Sequence, residues 1–218
     1  MISTNKIIGS LVYRTREALD ENDEFKEGLL KYPYHDNCLF DDHFHLWHFV
    51  GTHTEIANTL NKVQGVNAHK VKFPAIFDFV PVREDISGQS RDITLNVAIA
   101  GIITKEDGTE TREDNTHIPL LRPIYHEFMR QVKMSGYFKL DQGISIWTAG
   151  SYHRHTKYDV FTTGSTSSFT ERYGYYIDAI EIQELRLSIK QTLCDKDFQL
   201  IEEENSRVTE NIANILKS

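Results

Sequence analysis

The sequence predicts an α+β fold: a mixed or largely antiparallel sheet of about four to five strands with helices packed on one face, plus a long protruding loop or hairpin and a C-terminal extension. Three stretches carry this expectation. Residues 91–103, RDITLNVAIAGII, alternate Ile93, Leu95, Val97 and Ile99 with Thr94, Asn96, Ala98 and Ala100, the period-two pattern of a strand. Residues 117–134 set Leu120, Leu121, Ile124, Tyr125, Phe128 and Val132 on one helical stripe. Residues 175–189, YYIDAIEIQELRLSI, return to strand alternation and slip phase between Ile182 and Leu185, which predicts a bulge or two successive strands.

Taken in chain order, the first helix spans residues 3–19, with Ile7, Ile8, Leu11, Val12 and Leu19 on its inner face and Ser3 or Thr4 as the cap. The acidic run DENDEFKEG is expected to end it and lead through Gly28 into an irregular segment. LFDDHFHLWHFV, residues 39–50, is too crowded with aromatics for a surface helix and is expected to be one strand. Gly51 and Thr52 break it, and Thr54 caps a short helix carrying Ile56, Leu60 and Val63. FPAIFDFVP, residues 73–81, is apolar on both faces, as a central strand is, with Pro74 at its start and Pro81 closing it. Its short link to 91–103 suits an antiparallel pair, and the small residues on the second face of 91–103 imply that something packs closely there.

KEDGTETREDN, residues 105–115, is expected to be a polar loop. Thr116 and Pro119 open the helix, Pro123 falls near its first turn and Gly136 stops it. ISIWTA, residues 144–149, is a short strand. The Ser/Thr/Gly/Tyr/His-rich stretch 150–174 exceeds an ordinary connection. Apolar positions in the tail are sparse (Val208, Ile212, Ile215, Leu216), consistent with a weakly amphipathic helix docking on a neighbour. The expected organisation is one domain over residues 1–194, with a loop insertion at about 150–172, and an extension over 195–218.

The 218 residues hold 24 Lys and Arg against 32 Asp and Glu, a net charge of −8. That balance argues against wrapping nucleic acid, though a repulsive wall lets a polyanion slide past. Two distant cysteines, Cys38 and Cys194, predict no disulfide framework and a reducing compartment. The N-terminus lacks a leader's apolar core, and no apolar run reaches the roughly 18 residues a membrane-spanning helix needs. A protein used in a cytoplasm, without a membrane partner, is the expectation.

The stretch HDNCLFDDHFHLWHFVGTH, residues 35–53, holds five of the ten histidines. Read as a strand, it sets Asp41, His43 and His45 on one face, a spacing that converges on zinc in some enzymes. Residues of this type beside Phe and Trp also suit a half-buried strand at a subunit boundary, and that structural reading is preferred: no metal, no cofactor and no catalytic residue are expected. Nucleophile elbow, phosphate loop, dinucleotide fingerprint and zinc-protease motifs are all missing. Cys38 is expected to be a buried free thiol, and Asp78, alone on an apolar strand, to satisfy a structural hydrogen bond.

HFVGTHTEIANTLNK (48–62), FPAIFDF (73–79), IPLLRPIYHEFMRQV (118–132) and ERYGYYIDAIEIQELRLSI (171–189) together resemble a family of small proteins encoded in phages and prophages of Bacteroidetes-type bacteria. That family is similar in layout to the tail terminators and neck proteins, the head–tail connectors, of tailed bacteriophages. The resemblance covers most of residues 1–190 and places His48, Gly51 and His53 in a strand-to-helix turn. It implies a structural virion protein that assembles as a homo-oligomeric ring of six or twelve copies at the head–tail junction. The ring would join neighbouring connector and tail proteins and let DNA pass through its lumen. A head-to-tail ring needs two different patches on each subunit. The segments 104–116 and 150–172 and the tail are the candidates, with Tyr152, Arg154, Tyr158, Phe161, Phe169 and Arg172 as interface residues. Aspartates 41 and 42 and the histidine-rich 150–165 loop depart from the family pattern. The alternative is a metal-dependent hydrolase or nuclease using Asp41, His43 and His45. A third option is a carbohydrate-binding module stacking sugars on Trp47, Trp147 and tyrosines, which the helices at 3–19 and 117–134 oppose.

Overall fold

Ser3 caps the first helix, α1 (Thr4–Asp20), by accepting the Lys6 N–H at 3.3 Å. The structure, a computed structural model, describes residues 3–63, 71–87, 90–103, 108–139, 152–155, 160–163, 168–171 and 176–189. Ile7, Ile8, Leu11, Val12 and Leu19 of α1 are buried together, as their spacing predicts. The acidic run that follows starts a helix as well as ending one. Asn22 accepts the Phe25 N–H at 3.0 Å and opens α2 (Asp23–Leu29), whose first turn carries Asp23 and Glu24, where the helix dipole favours negative charge.

The 39–50 segment is not one strand. It divides into β1 (Leu39–Phe40), β2 (His43–Phe44) and β3 (Trp47–Gly51). Asp41 and Asp42 both take positive φ, 48° and 64°, and form the two-residue turn of a hairpin in which Phe40 faces His43. The candidate ligand Asp41 and its neighbour Asp42 are turn residues, suited to this because a short polar side chain tolerates the left-handed region. After Gly51, at φ +152°, Thr52 rather than Thr54 caps α3 (His53–Lys62). Thr52 accepts the Glu55 N–H, and Glu55 in return accepts the Thr52 N–H at 2.8 Å, a complete capping box.

Pro81 does not close the next strand. β4 (Ala75–Ser87) runs through it and accommodates it at a register shift between Phe79 and Arg83, a place where a missing donor does no harm. β5 (Ser90–Ile102) pairs with β4 antiparallel, as expected. The stretch expected as a polar loop is helical from Thr109: α4 (Thr109–Arg112) leads into a π-helical segment, Glu113–Leu121, and then α5 (Arg122–Met134). Pro119 lies inside the π-helical segment, where widened turns adapt to a residue that cannot donate.

β6 (Phe138–Lys139), β7 (Tyr152–His155), β8 (Val160–Thr163), β9 (Ser168–Glu171) and β10 (Ile177–Ile189) complete the chain. The main sheet has six strands in the order β3-β4-β5-β10-β6, with β7 also on β10. β3 and β4 are parallel, joined through α3 as a βαβ unit; the other pairs are antiparallel. The fold is therefore α+β with a mixed sheet, as predicted. Two strands of that sheet were not expected: β6, directly after the helix, and β7, inside the stretch expected as a long loop. β8 and β9 pair with each other as a separate hairpin. The phase slip in β10 is a real register shift between Ile182 and Leu185, with Glu184 at φ 53° donating its N–H to Asn96 Oδ1 at 2.9 Å. The expected strand at 144–149 and the extension 195–218 lie outside the described residues.

One sheet face buries Ile76, Leu95, Val97, Ile99, Ile180 and Ile182 in a single cluster with α1, α2, the π-helical segment and α5. The other carries a smaller cluster in which Ala98, Ala100 and Ala179 join Phe73, Phe77 and Phe79 and the Ile56, Ala57 and Leu60 of α3. α3 thus supplies the close packing that the small second face of β5 implied, so the helices lie on both faces of the sheet and not, as expected, on one.

Candidate functional site

Each histidine of the 35–53 stretch has its own intramolecular role. His35 Nδ1 lies 3.0 Å from the Tyr32 carbonyl and its Nε2 3.3 Å from Asp36. His43 Nδ1 lies 2.7 Å from Asp20 Oδ2, and Asp20 Oδ1 accepts the Phe44 N–H at 2.8 Å. Asp20, with Lys26 at 3.3 Å, thus ties the β1–β2 hairpin to the end of α1. Burial alone would raise the Asp20 carboxyl; the bonds from Phe44, His43 and Lys26 outweigh it and hold it below 3.8. His45 stacks on Trp47 at 5.7 Å and meets Phe40 edge-on at 5.5 Å. Burial lowers its pKa to about 4, with Arg16 adding to the effect and Asp20 opposing it, so the ring is neutral at pH 7. His48 faces Asp78, and His53 stacks on Phe79 at 4.0 Å.

Asp41, His43 and His45 are therefore not brought together as a ligand set. Among the described residues no group of three or more His, Cys, Asp or Glu side chains could hold a metal ion. Cys38 is buried and free, its thiol pushed up by burial and directed at the Tyr34 carbonyl at 3.7 Å. Asp78 departs from expectation. It is fully buried, yet neither carboxylate oxygen makes a hydrogen bond among the described residues, and His48 Nε2 lies 3.9 Å away, beyond hydrogen-bond range.

A second buried carboxylate, Asp178 on β10, anchors a buried polar constellation. Arg112 Nη1 lies 3.7 Å from Asp178 Oδ1 and His117 Nε2 lies 3.6 Å from Oδ2, all three side chains being buried. Burial lowers the His117 pKa to about 4; Glu113 opposes this while Arg154, Arg122 and Arg112 add to it. With Arg112 already facing Asp178, the imidazole can stay neutral. Above this pair, Glu113 takes ion pairs from both Arg122 and Arg154, so one carboxylate links the π-helical segment, α5 and β7. Directly beside Asp178 in register, Gly101 lets the segment close on the sheet: a Cβ there would meet Leu120 Cδ2 at 2.8 Å.

Of the expected interface residues, Arg154 is exposed on β7 and its charge is spent on Glu113. Tyr152 belongs to β7, Phe161 to β8 and Phe169 to β9. Tyr158 and Arg172 lie outside the described residues. Arg112, Glu113, His117, Arg122 and Asp178 were not singled out from sequence. The available signal was Asp178 itself, a carboxylate inside an apolar strand just as Asp78 is. Comparison with protein-family models, with curated proteins and with solved structures finds no match to this chain.

Proposed function

We propose that this chain is a structural virion protein of the neck or tail-terminator type. It assembles with its own copies into a ring at the head–tail junction of a tailed phage. The reading rests on the resemblance of the four stretches named above, and one observation in the fold supports it over hydrolysis. The histidine-rich stretch, the strongest catalytic candidate, has its five imidazoles facing five separate neighbours rather than one point. Chemistry at a metal needs several such groups converging on one point, with positions left open for substrate. The net charge of −8 suits a lumen that polyanionic DNA passes without sticking.

Negative-stain microscopy of the purified full chain tests this, with elemental analysis of the same sample. Closed rings around an open centre, without stoichiometric metal, are the expected result. Stoichiometric zinc or manganese, with a hydrolytic activity abolished by His43→Ala, would replace the proposal with the hydrolase.

A further inference from the structure

We infer that copies of this chain join edge to edge, β3 of one against β7 of the next, so that the sheets continue around the assembly. This rests on the ring reading above and specifies how its subunits meet.

The main sheet ends at β3 on one side and at β7 and the two-residue β6, both paired to β10, on the other. Among the described residues β3 pairs only with β4, and β7 only with β10. β3 is five residues long and β7 four, so the two can pair over four residues. Their directions also match. β4 runs with β3, β5 against it, β10 with it and β7 against it. Copies related by rotation about an axis along the strands keep that sense, so β3 meets a neighbour's β7 antiparallel. Two unlike edges that fit each other form a heterologous contact, the kind that closes into a ring.

The bonding pattern of β3 shows which groups face outward. The Trp47 N–H donates to the Pro74 carbonyl at 3.0 Å. By the alternation of a parallel ladder, Trp47, Phe49 and Gly51 bond β4, while the backbone N–H and C=O of His48 and Val50 point to the open edge. Val50 is also one of the few large apolar side chains exposed among the described residues, at 37 %. An edge that presents backbone groups and apolar surface is a template for another strand. On the other side, the Glu113–Arg154 ion pair fixes β7 to the helical layer.

Val50→Pro isolates the outward edge. It removes a donor that β4 does not use and leaves the β3–β4 ladder intact, as proline on an edge strand does. Val50→Thr keeps the donor and the branched shape. Mass photometry and concentration-dependent light scattering on full-length chains read assembly, and circular dichroism reads the fold. The expected result is an oligomer for the original chain and for Val50→Thr, and a folded Val50→Pro chain whose assembly is weaker by at least about tenfold. If Val50→Pro is itself unfolded, hydrogen exchange on the original oligomer decides: the His48 and Val50 amides must be slow in the oligomer and fast on dilution to monomer. Rings that form unchanged from Val50→Pro, or outward amides that exchange equally fast in both states, overturn the edge contact and leave the ring standing. A chain that stays monomeric at every concentration overturns both.

Discussion

Asp20 is where the histidine-rich hairpin meets the rest of the fold, so replacing it with alanine tests whether that stretch is scaffolding. Three interactions are lost together: the Phe44 N–H at 2.8 Å, beside a Phe44 ring that is buried, His43 at 2.7 Å, which is largely exposed, and the partly exposed Lys26 at 3.3 Å, which adds little. A hydrogen bond to a charged acceptor contributes about 1.5–3 kcal/mol in a partly buried setting, and the exposed one adds less, so a loss of roughly 2–4 kcal/mol is expected. In a domain of this size that lowers Tm by roughly 5–15 °C. Asp20→Asn keeps an acceptor for Phe44 and is expected to lose about half as much. Urea unfolding at pH 7, in the presence and absence of zinc, reads both variants. Destabilisation below about 0.5 kcal/mol, within the range of an ordinary surface change, would refute the tie. A stabilisation of the original chain by zinc that His43→Ala removes would show that the imidazoles serve a metal instead.

Three further outcomes follow. Gly101→Ala places a Cβ 2.8 Å from Leu120 Cδ2 and is expected to cost about 1–3 kcal/mol by calorimetry, since the π-helical segment must back away from the sheet. Asp42→Gly relieves a residue at φ 64° in the hairpin turn and is expected to leave stability unchanged or raise it by about 0.5–1 kcal/mol; a fall of more than that would contradict the turn assignment. For pH, His45 and His117 titrate near 4 in the folded chain against 6.5 when unfolded, so the unfolded state binds the proton first. Stability is therefore complete above about pH 6.5 and declines as pH falls toward 4, with the low-lying Asp20 carboxyl adding further loss in stronger acid. His117→Gln is expected to flatten that decline in chemical denaturation measured from pH 7 to pH 4, and an unchanged slope would contradict a buried neutral His117.

Strand periodicity made the long strands legible: the alternation of β5 and the phase slip of β10 are consequences of one buried face, and each appears where the residues place it. What was hidden is the handling of polar groups by tertiary context. The 39–50 segment reads as one strand because Phe40, Phe44, Leu46 and Trp47 dominate its composition. Only the left-handed pair Asp41–Asp42 folds it into a hairpin, and Asp-Asp is a weaker turn signal than Asp-Gly. The helix beginning at Thr109 was hidden by its charge, because the partners of Arg112 and Glu113 come from β10 and β7, more than forty residues away in the case of Arg154. Asp178 shows the same limit: sequence places it on a strand but not beside Arg112 and His117. Thr52 rather than Thr54 caps α3 because Glu55 stands three residues beyond it, a spacing that was readable and overlooked.

Immunolabelling of purified tailed particles from a culture that makes this chain is the most direct measurement. A label at one point between head and tail, in a copy number matching a closed ring, is the expected result. A chain found only in the soluble lysate, with particles complete without it, would contradict a place in the virion.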